Sequence, residues 1–355
     1  MNDHSTESPQ GQNRTLINRT LVRIKVLQAA FAYFQGEAPQ GEDAADNKKR
    51  KRLTLPYIDS LLEKSYDDTY NLYLLLLDFV YEMTRYAETR IEEAQERAKI
   101  MHTEVEPNWK FINNRFAQQL FENHTLQNEL EIRKLSWDAA HESLSILYKQ
   151  ITESPIYSEY MSSEDDSYAS DKAVWRKIFT TVLTNNEELE NALEELEIAL
   201  DGRDWTVEVD LIISYIEKTI KRFKEESGAD QPLLEPFQSD KESNNDFGDT
   251  LNEHDFGKRL LHNVLTRSDE YEEIIASCLK NWDKERVSYM DMVILKVALA
   301  EITSFPEIQL QVSMNEYIDI AREYSSENSP MFINGILDMA VANLKADNKL
   351  LKAVK

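Results

Sequence analysis

An all-α fold is predicted by three features of this sequence. Apolar residues recur at three- and four-residue spacing over most of its 355 residues, the repeat of helices that bury one face. Alternation with period two, the mark of a half-buried strand, is nowhere sustained for long. Glycine occurs only 8 times, about 2% of the chain against a usual share of roughly 7%, which leaves little for tight turns. At 41% apolar and 30% charged the chain can bury a core, and its length suggests two or three domain-sized masses.

Residues 1–13 lack apolar periodicity and read as a tail. From there Ile17, Leu21, Ile24, Leu27, Phe31 and Phe34 trace one face of a helix that ends before Gly36. Residues 36–52 are a loop, acidic and then basic, in which the five cations Lys48–Arg52 read as a solvated charge run. A long helix is predicted from Leu53 to Ile100, with no glycine or proline after Pro56. Its end, RIEEAQERAK, places opposite charges at helical spacing and faces solvent.

Further helices lie between Trp109 and Met161, before the acidic break SSEDDSYASD. Ala173 to Glu226 is helical again, interrupted near Asp201–Asp204, and residues 227–250, rich in Pro, Ser, Asn and Asp, form a linker. Residues 251–345 hold four or five helices, followed by a tail at 346–355. One of them sets Val287, Met290, Ile294, Val297, Ala298 and Ile302 on a single core-facing stripe. For the last helix, Ser329 and Pro330 form an N-cap and N1 pair whose amides are open to a phosphate. Gly335 inside that helix points to a close helix–helix contact. The stretch KIFTTVLTNNEELENALEE (177–195) parallels RLLHNVLTRSDEYEEIIAS (259–277), either as a degenerate repeat or as the ordinary likeness of amphipathic helices.

The net charge of −25 is unevenly distributed. Residues 36–250 carry −22 and residues 251–355 carry −5, whereas 14–35 hold Arg14, Arg19, Arg23 and Lys25 with no acid. The middle of the chain therefore reads as a folded, protein-facing or shielding mass that repels RNA. The first helix reads as a basic element on its own, with Arg19 and Arg23 on one face beside the apolar stripe.

Much chemistry is missing. There is no GxGxxG, no GxxxxGK[ST] and no HExxH, and neither His124 nor His141 has zinc-like spacing. Cys278, the single cysteine, excludes an internal disulfide framework and reads as a small buried residue. Pairs such as Glu187–Glu188 and Glu194–Glu195 read as solvated faces. No catalytic residue, metal or cofactor is expected. The polar first fifteen residues and the lack of an apolar run near twenty residues lead to a cytoplasmic expectation.

Two stretches, NWDKERVSYMDMVILKVALAEI and VSMNEYIDIAREYSSENSPMFINGILD, resemble the C-terminal end of the NusB family of transcription antitermination factors. NRTLVRIKVLQAAFAYFQ (18–35) resembles the family's opening arginine-bearing helix, and FGKRLLHNVLTRSDEYEEII (256–275) the helices that follow it. The architecture is similar to the extended form found in Bacteroidetes-type members. The resemblance implies a NusB-like helical bundle of two subdomains, formed by 14–35 plus 251–345 and split by the acidic helical insertion 36–250. It also implies a non-enzymatic adaptor that binds single-stranded boxA-type RNA of ribosomal RNA leaders. Implied partners are the NusE ribosomal protein, with NusA, NusG and RNA polymerase in the complex, and a homodimer is left open. Carried over by residue, Arg14, Arg19, Arg23, Phe31, Asn328 and Phe332 would meet RNA, and Glu301 would meet a partner. Two cations on one face with an exposed aromatic independently suit a single strand, by phosphate pairing and base stacking. The rivals are a helical interaction scaffold with weak or lost RNA binding, and an RNA methyltransferase accessory domain. The latter lacks the glycine-rich cofactor loops it would need.

Overall fold

In the computed structural model, residues 15–37, 54–103, 107–199, 208–237, 252–279 and 287–350 are described. They form fourteen α-helices and no strand beyond one isolated parallel bridge, Thr15 to Glu235. Among them no helix is long and apolar enough to cross a membrane. The chain divides into two compact units, one within Met1–Leu16 and Asp67–Glu235, the other within Ile17–Tyr66 and Pro236–Lys355.

In the second unit, α1 (Arg19–Glu37) is followed by the first turns of α2 (Leu55–Met101) and later by α10 (Glu253–Thr266) and α11 (Ser268–Cys278). The unit then closes with α12 (Tyr289–Ser304), α13 (Leu310–Tyr324) and α14 (Ser329–Ala346). Side-chain caps fix several starts: Asn18 Oδ1 accepts from Leu21 N–H at 3.0 Å and Ser288 Oγ from Asp291 N–H at 3.0 Å. α12 is the axis of this unit, and α1, α10, α11, α13 and α14 all pack on it. Its residues from Val293 to Thr303 are buried without interruption, so the single stripe expected from periodicity is instead a helix enclosed on every side.

α1 differs in the same way. It runs through Gly36 to Glu37, and everything from Leu21 to Leu27 is buried, including Arg23 and Lys25. α10 lies against it at Gly257, where an added Cβ would stand 2.8 Å from Val22 Cγ1 and 2.2 Å from Tyr66 Oη. The first turns of α2, which sequence alone assigns to the insertion, thus belong with this unit. His262 Nε2 meets Asp59 at 2.7 Å and His254 Nε2 meets Glu63 at 2.7 Å. By contrast Gly335, for which a close helix contact was expected, has no atom within 4 Å of the position its Cβ would occupy.

The first unit holds the rest of α2 and α3 (Arg115–Glu122), α4 (His124–Arg133), α5 (His141–Glu153), α6 (Pro155–Ser162), α7 (Tyr168–Ile178), α8 (Glu187–Ala199) and α9 (Val209–Arg222). From Leu72 to Val80 α2 is buried all round, and its polar end pairs Arg90 and Arg97 with Glu93. Aromatic contacts fill the core, Phe79 with Trp137 at 5.3 Å and Phe116 with Phe223 at 5.3 Å among them. The order α7–α8–α9 matches α10–α11–α12 in the stretches that sequence likens, and α7 packs on α9 as α10 packs on α12. The linker read at 227–250 begins with a 3₁₀ segment, Glu225–Asp230, and Leu16 N–H donates to Glu235 O at 2.8 Å.

One core residue is out of character. Asp78 is only 8% exposed, and burial, reinforced by the charges of Glu82 and Asp138, pushes its carboxyl up to about 7. A folded-state value above the unfolded one means that the folded protein binds the extra proton between the two. The penalty is therefore absent below about pH 4 and complete above about pH 7, on the order of 4 kcal/mol. Asp78→Asn should melt higher than the native chain at about pH 8, with the gap closing toward about pH 4; a gap independent of pH would contradict this account. Gly257→Ala should destabilise by about 1–3 kcal/mol in denaturant titration, and Tyr66→Phe, which removes the crowded hydroxyl, should restore part of the loss.

Candidate nucleic-acid interface

Of the seven residues read from sequence, the six that the structure describes divide into an interior set and a surface set. Arg23 is 2% exposed and Glu301 is 0% exposed. Arg23 donates through Nε to Glu301 Oε2 at 2.8 Å and through Nη2 to Oε1 at 2.9 Å, a two-pronged pair joining α1 to α12. From α13, Ser313 Oγ donates to Glu301 Oε1 at 2.6 Å and Tyr317 Oη to Oε2 at 2.8 Å. Glu316 Oε2 adds a second carboxylate 3.3 Å from Arg23 Nη1 and accepts from Thr20 Oγ1 at 2.9 Å.

Burial opposes the charged form of Glu301. The hydrogen bond and charge of Arg23, then the two hydroxyls, outweigh it and hold the carboxyl below the usual carboxylate range. Burial and then the charge of Glu301 push the Tyr317 phenol well up, so it remains a donor. Arg23 was expected on the flank of an amphipathic helix, and Glu301 at a partner's surface. The structure turns both inward, because α1 and α12 bury nearly every face and a charge there requires its opposite.

Arg19 is half-buried, with its guanidinium carbon 5.2 Å from the centre of the Phe256 ring; Arg23 stands 5.5 Å from the same ring. Arg14 and Lys48–Arg52 lie outside the described residues. Phe31 lies twelve residues beyond Arg19, roughly 18 Å along a helix. The aromatic part of the expected site is therefore removed from its basic part.

Phe31 is half-buried and meets the Tyr289 ring edge-on at 5.2 Å, at the start of α12. Tyr289, 42% exposed, was not nominated from sequence, although an aromatic off the apolar stripe of its helix was the available signal. A chain of small polar side chains joins this point to the α13–α14 corner. Ser325 Oγ donates to Asp291 Oδ1 at 2.7 Å, Ser288 Oγ lies 3.4 Å from Ser325 Oγ, and Ser329 Oγ donates to Ser325 Oγ at 3.0 Å. Asn328, not Ser329, occupies the cap position of α14, exposed and with no side-chain cap bond. Beyond it Met331 is 75% exposed and Phe332 half-buried.

The amides of that corner are less open than sequence suggests. Ser329 N–H donates to Ser326 O at 2.9 Å and Phe332 N–H to Asn328 O at 3.2 Å, while Pro330 has none. In the first turn of α14 this leaves the Met331 amide for an anion. The surface set therefore offers aromatic and amide groups more than positive charge.

The buried pair makes a quantitative expectation. Glu301→Ala leaves the Arg23 charge uncompensated and should destabilise the protein by about 3–5 kcal/mol in denaturant titration. Arg23→Met combined with Glu301→Leu should recover most of that loss; a double variant as unstable as the single one would count against the pair as the cause.

Comparison with known proteins locates the relationship. A model of the NusB family matches residues 218–342, from within α9 to near the end of α14. The transcription antitermination protein NusB of Bacillus subtilis is 35% identical over 92 residues, covering 26% of this chain and 67% of that protein. Its counterpart in Salinibacter ruber is 34% identical over 98 residues, 28% of this chain and 61% of its own. That of Syntrophus aciditrophicus is 38% identical over 93 residues, 26% and 58% respectively. The chain thus spans about two thirds or somewhat less of the relatives it matches, and no solved structure matches it. Identity at this level over most of a relative's length, along the helices that build the second unit, establishes that the chain belongs to the NusB family of transcription antitermination proteins.

Proposed function

We propose that this protein is a non-enzymatic, RNA-binding adaptor in transcription antitermination. It takes single-stranded boxA-type RNA of ribosomal leaders together with the NusE ribosomal protein, and works with NusA, NusG and RNA polymerase in the cytoplasm. The observation that carries the reading is the aromatic corner. Phe31 meets Tyr289 at the start of α12, and a serine–aspartate chain ties that start to Ser329 in the first turn of α14, the turn that carries Asn328 and Phe332. Rings held in place by a rigid scaffold suit unstacked bases, and the exposed Asn328 amide can read a base edge. Arg19 supplies phosphate contact at the other end of α1. Arg23 and Glu301 are positioning residues, which hold α1 on α12 and α13 so that Phe31 is presented.

The burial of Arg23 favours a second reading, a scaffold of the same fold with weak RNA affinity, because it removes one of the cations that would meet phosphates. A titration with boxA-like single-stranded RNA, with and without NusE, separates the two. Phe31→Ala and Phe332→Ala should each weaken binding by about 1–3 kcal/mol. Arg19→Ala should shallow the salt dependence by about 0.7. Arg23→Ala should act through stability and leave the salt slope of the folded fraction unchanged. Full affinity in the double phenylalanine variant would remove the aromatic corner from the RNA site. An absence of RNA binding even with NusE present would favour the scaffold.

A further inference from the structure

In the first unit, α8 carries six glutamates between Glu187 and Ala199 and no lysine or arginine. Glu190 and Glu194 stand four residues apart, a spacing at which like charges weaken a helix. α5 packs against α8, and the two helices line a cavity of about 330 Å³. Glu188, Glu194 and Glu195 face it from α8 and Glu142 from α5, with no basic side chain in the lining. Among the described residues none of these four carboxylates forms an ion pair or accepts a hydrogen bond. A second feature does not depend on charge. Ser143, in the first turn of α5, is only 4% exposed and lines the same cavity, yet its hydroxyl has no hydrogen-bond partner among the described residues. A hydroxyl sealed from bulk water is costly to leave unpaired, so a group inside the cavity is what would complete it.

The lining selects an elongated cation. Four carboxylates without a counter-charge repel any anion. A bare metal ion is a poor fit, because the carboxylates do not converge: no group of three or more metal-ligating side chains occurs among the described residues. Glu188 and Glu195 are instead seven residues apart on α8, roughly 10 Å along the helix, with Glu142 on the other wall. Charges spread over that length suit several ammonium groups strung on one chain, whereas a single lysine or arginine side chain brings only one. Ile146, 45% exposed, offers apolar surface on which the methylenes between the ammonium groups can lie. The volume is that of a small-molecule site.

We propose that the α5–α8 cavity binds a linear polyamine, an unbranched methylene chain carrying two or more ammonium groups. The ammonium groups pair with the glutamates, one of them donates to Ser143 Oγ, and the chain between them covers Ile146. Binding relieves the repulsion within α8 and satisfies the buried hydroxyl, so the ligand stabilises the folded protein as the site fills. The site lies wholly in the first unit and is separate from RNA binding in the other.

The test titrates spermidine into the full chain by calorimetry at about 0.15 M salt, where charges more than about 8 Å apart are largely screened. Saturable binding at one site is expected, with a rise in melting temperature. Glu188→Gln combined with Glu195→Gln should weaken binding by about fivefold or more, through the loss of two ion pairs. Ser143→Ala should weaken it by about threefold or more, through the loss of one hydrogen bond to a charged group. Glu122→Gln combined with Glu131→Gln, which removes the same charge from exposed positions on α3 and α4, should change it by less than about twofold. A melting curve of each variant without ligand separates lost binding from unfolding. Equal losses in the two double variants would mean attraction by net charge alone and would overturn the site, as would unchanged affinity in Ser143→Ala or failure of the native chain to bind spermidine. Trilysine binding more tightly than spermidine, with the same dependence on Glu188 and Glu195, would assign the cavity to a basic polypeptide and overturn the polyamine.

Discussion

A helix buried on every side cannot carry a charge unless the neighbouring helices answer it, and α12 carries three. Asp291 near its start is met by Ser325, Lys296 in its middle by Ser268 and Glu272 beneath the Phe34 ring, and Glu301 near its end by Arg23, Ser313 and Tyr317. Each answer comes from a different helix: the α13–α14 corner, α11, and α1 with α13. The penalty for leaving any of them unanswered is several kcal/mol, so these contacts restrict how the surrounding helices can be arranged far more tightly than apolar burial does. Hydrophobic packing makes the unit compact, and the charges on its axis make the packing specific.

The same constraint shapes the candidate RNA surface. An arginine that appears in sequence as a free cation is used internally, and α1 is fixed in rotation and height by that use. Phe31 then lies at Tyr289, and the serine chain around Asp291 brings the α14 corner to the same end of α12. The candidate surface owes its aromatic character to this division of labour. The cations of α1 that the structure describes serve the fold first, and what remains at the aromatic end is rings, an amide side chain and a backbone N–H.

The first unit answers its charges less completely. Its aromatic core is well filled and its long helix ends in solvent-facing ion pairs, yet Asp78 is buried on α2 with acids as two of its three charged neighbours. A fold under selection for stability alone would place an amide or an apolar residue there.

Composition, glycine scarcity and apolar spacing were enough to give the helical class, the long α2 with its solvent-facing end, the helical middle and the acidic asymmetry of the chain. These depend on local propensity and on counting, which need no knowledge of neighbours. The family motifs pointed to the C-terminal helices of the second unit in the same way, as order along the chain. The direction in which a charged side chain points is a different matter. Arg19 and Arg23 share a helix face in any sequence reading, but one is half-buried beside a ring and the other is sealed on Glu301, 278 residues away. The close contact expected at Gly335 is found instead at Gly257, which sequence did not single out, for the same reason: a glycine matters where another element approaches, and only the packed structure brings Tyr66 and Val22 to Gly257. Periodicity reports how much of a helix is apolar, whereas inward or outward orientation of its charges is decided by which distant residue can neutralise them, and that pairing exists only after the helices have packed.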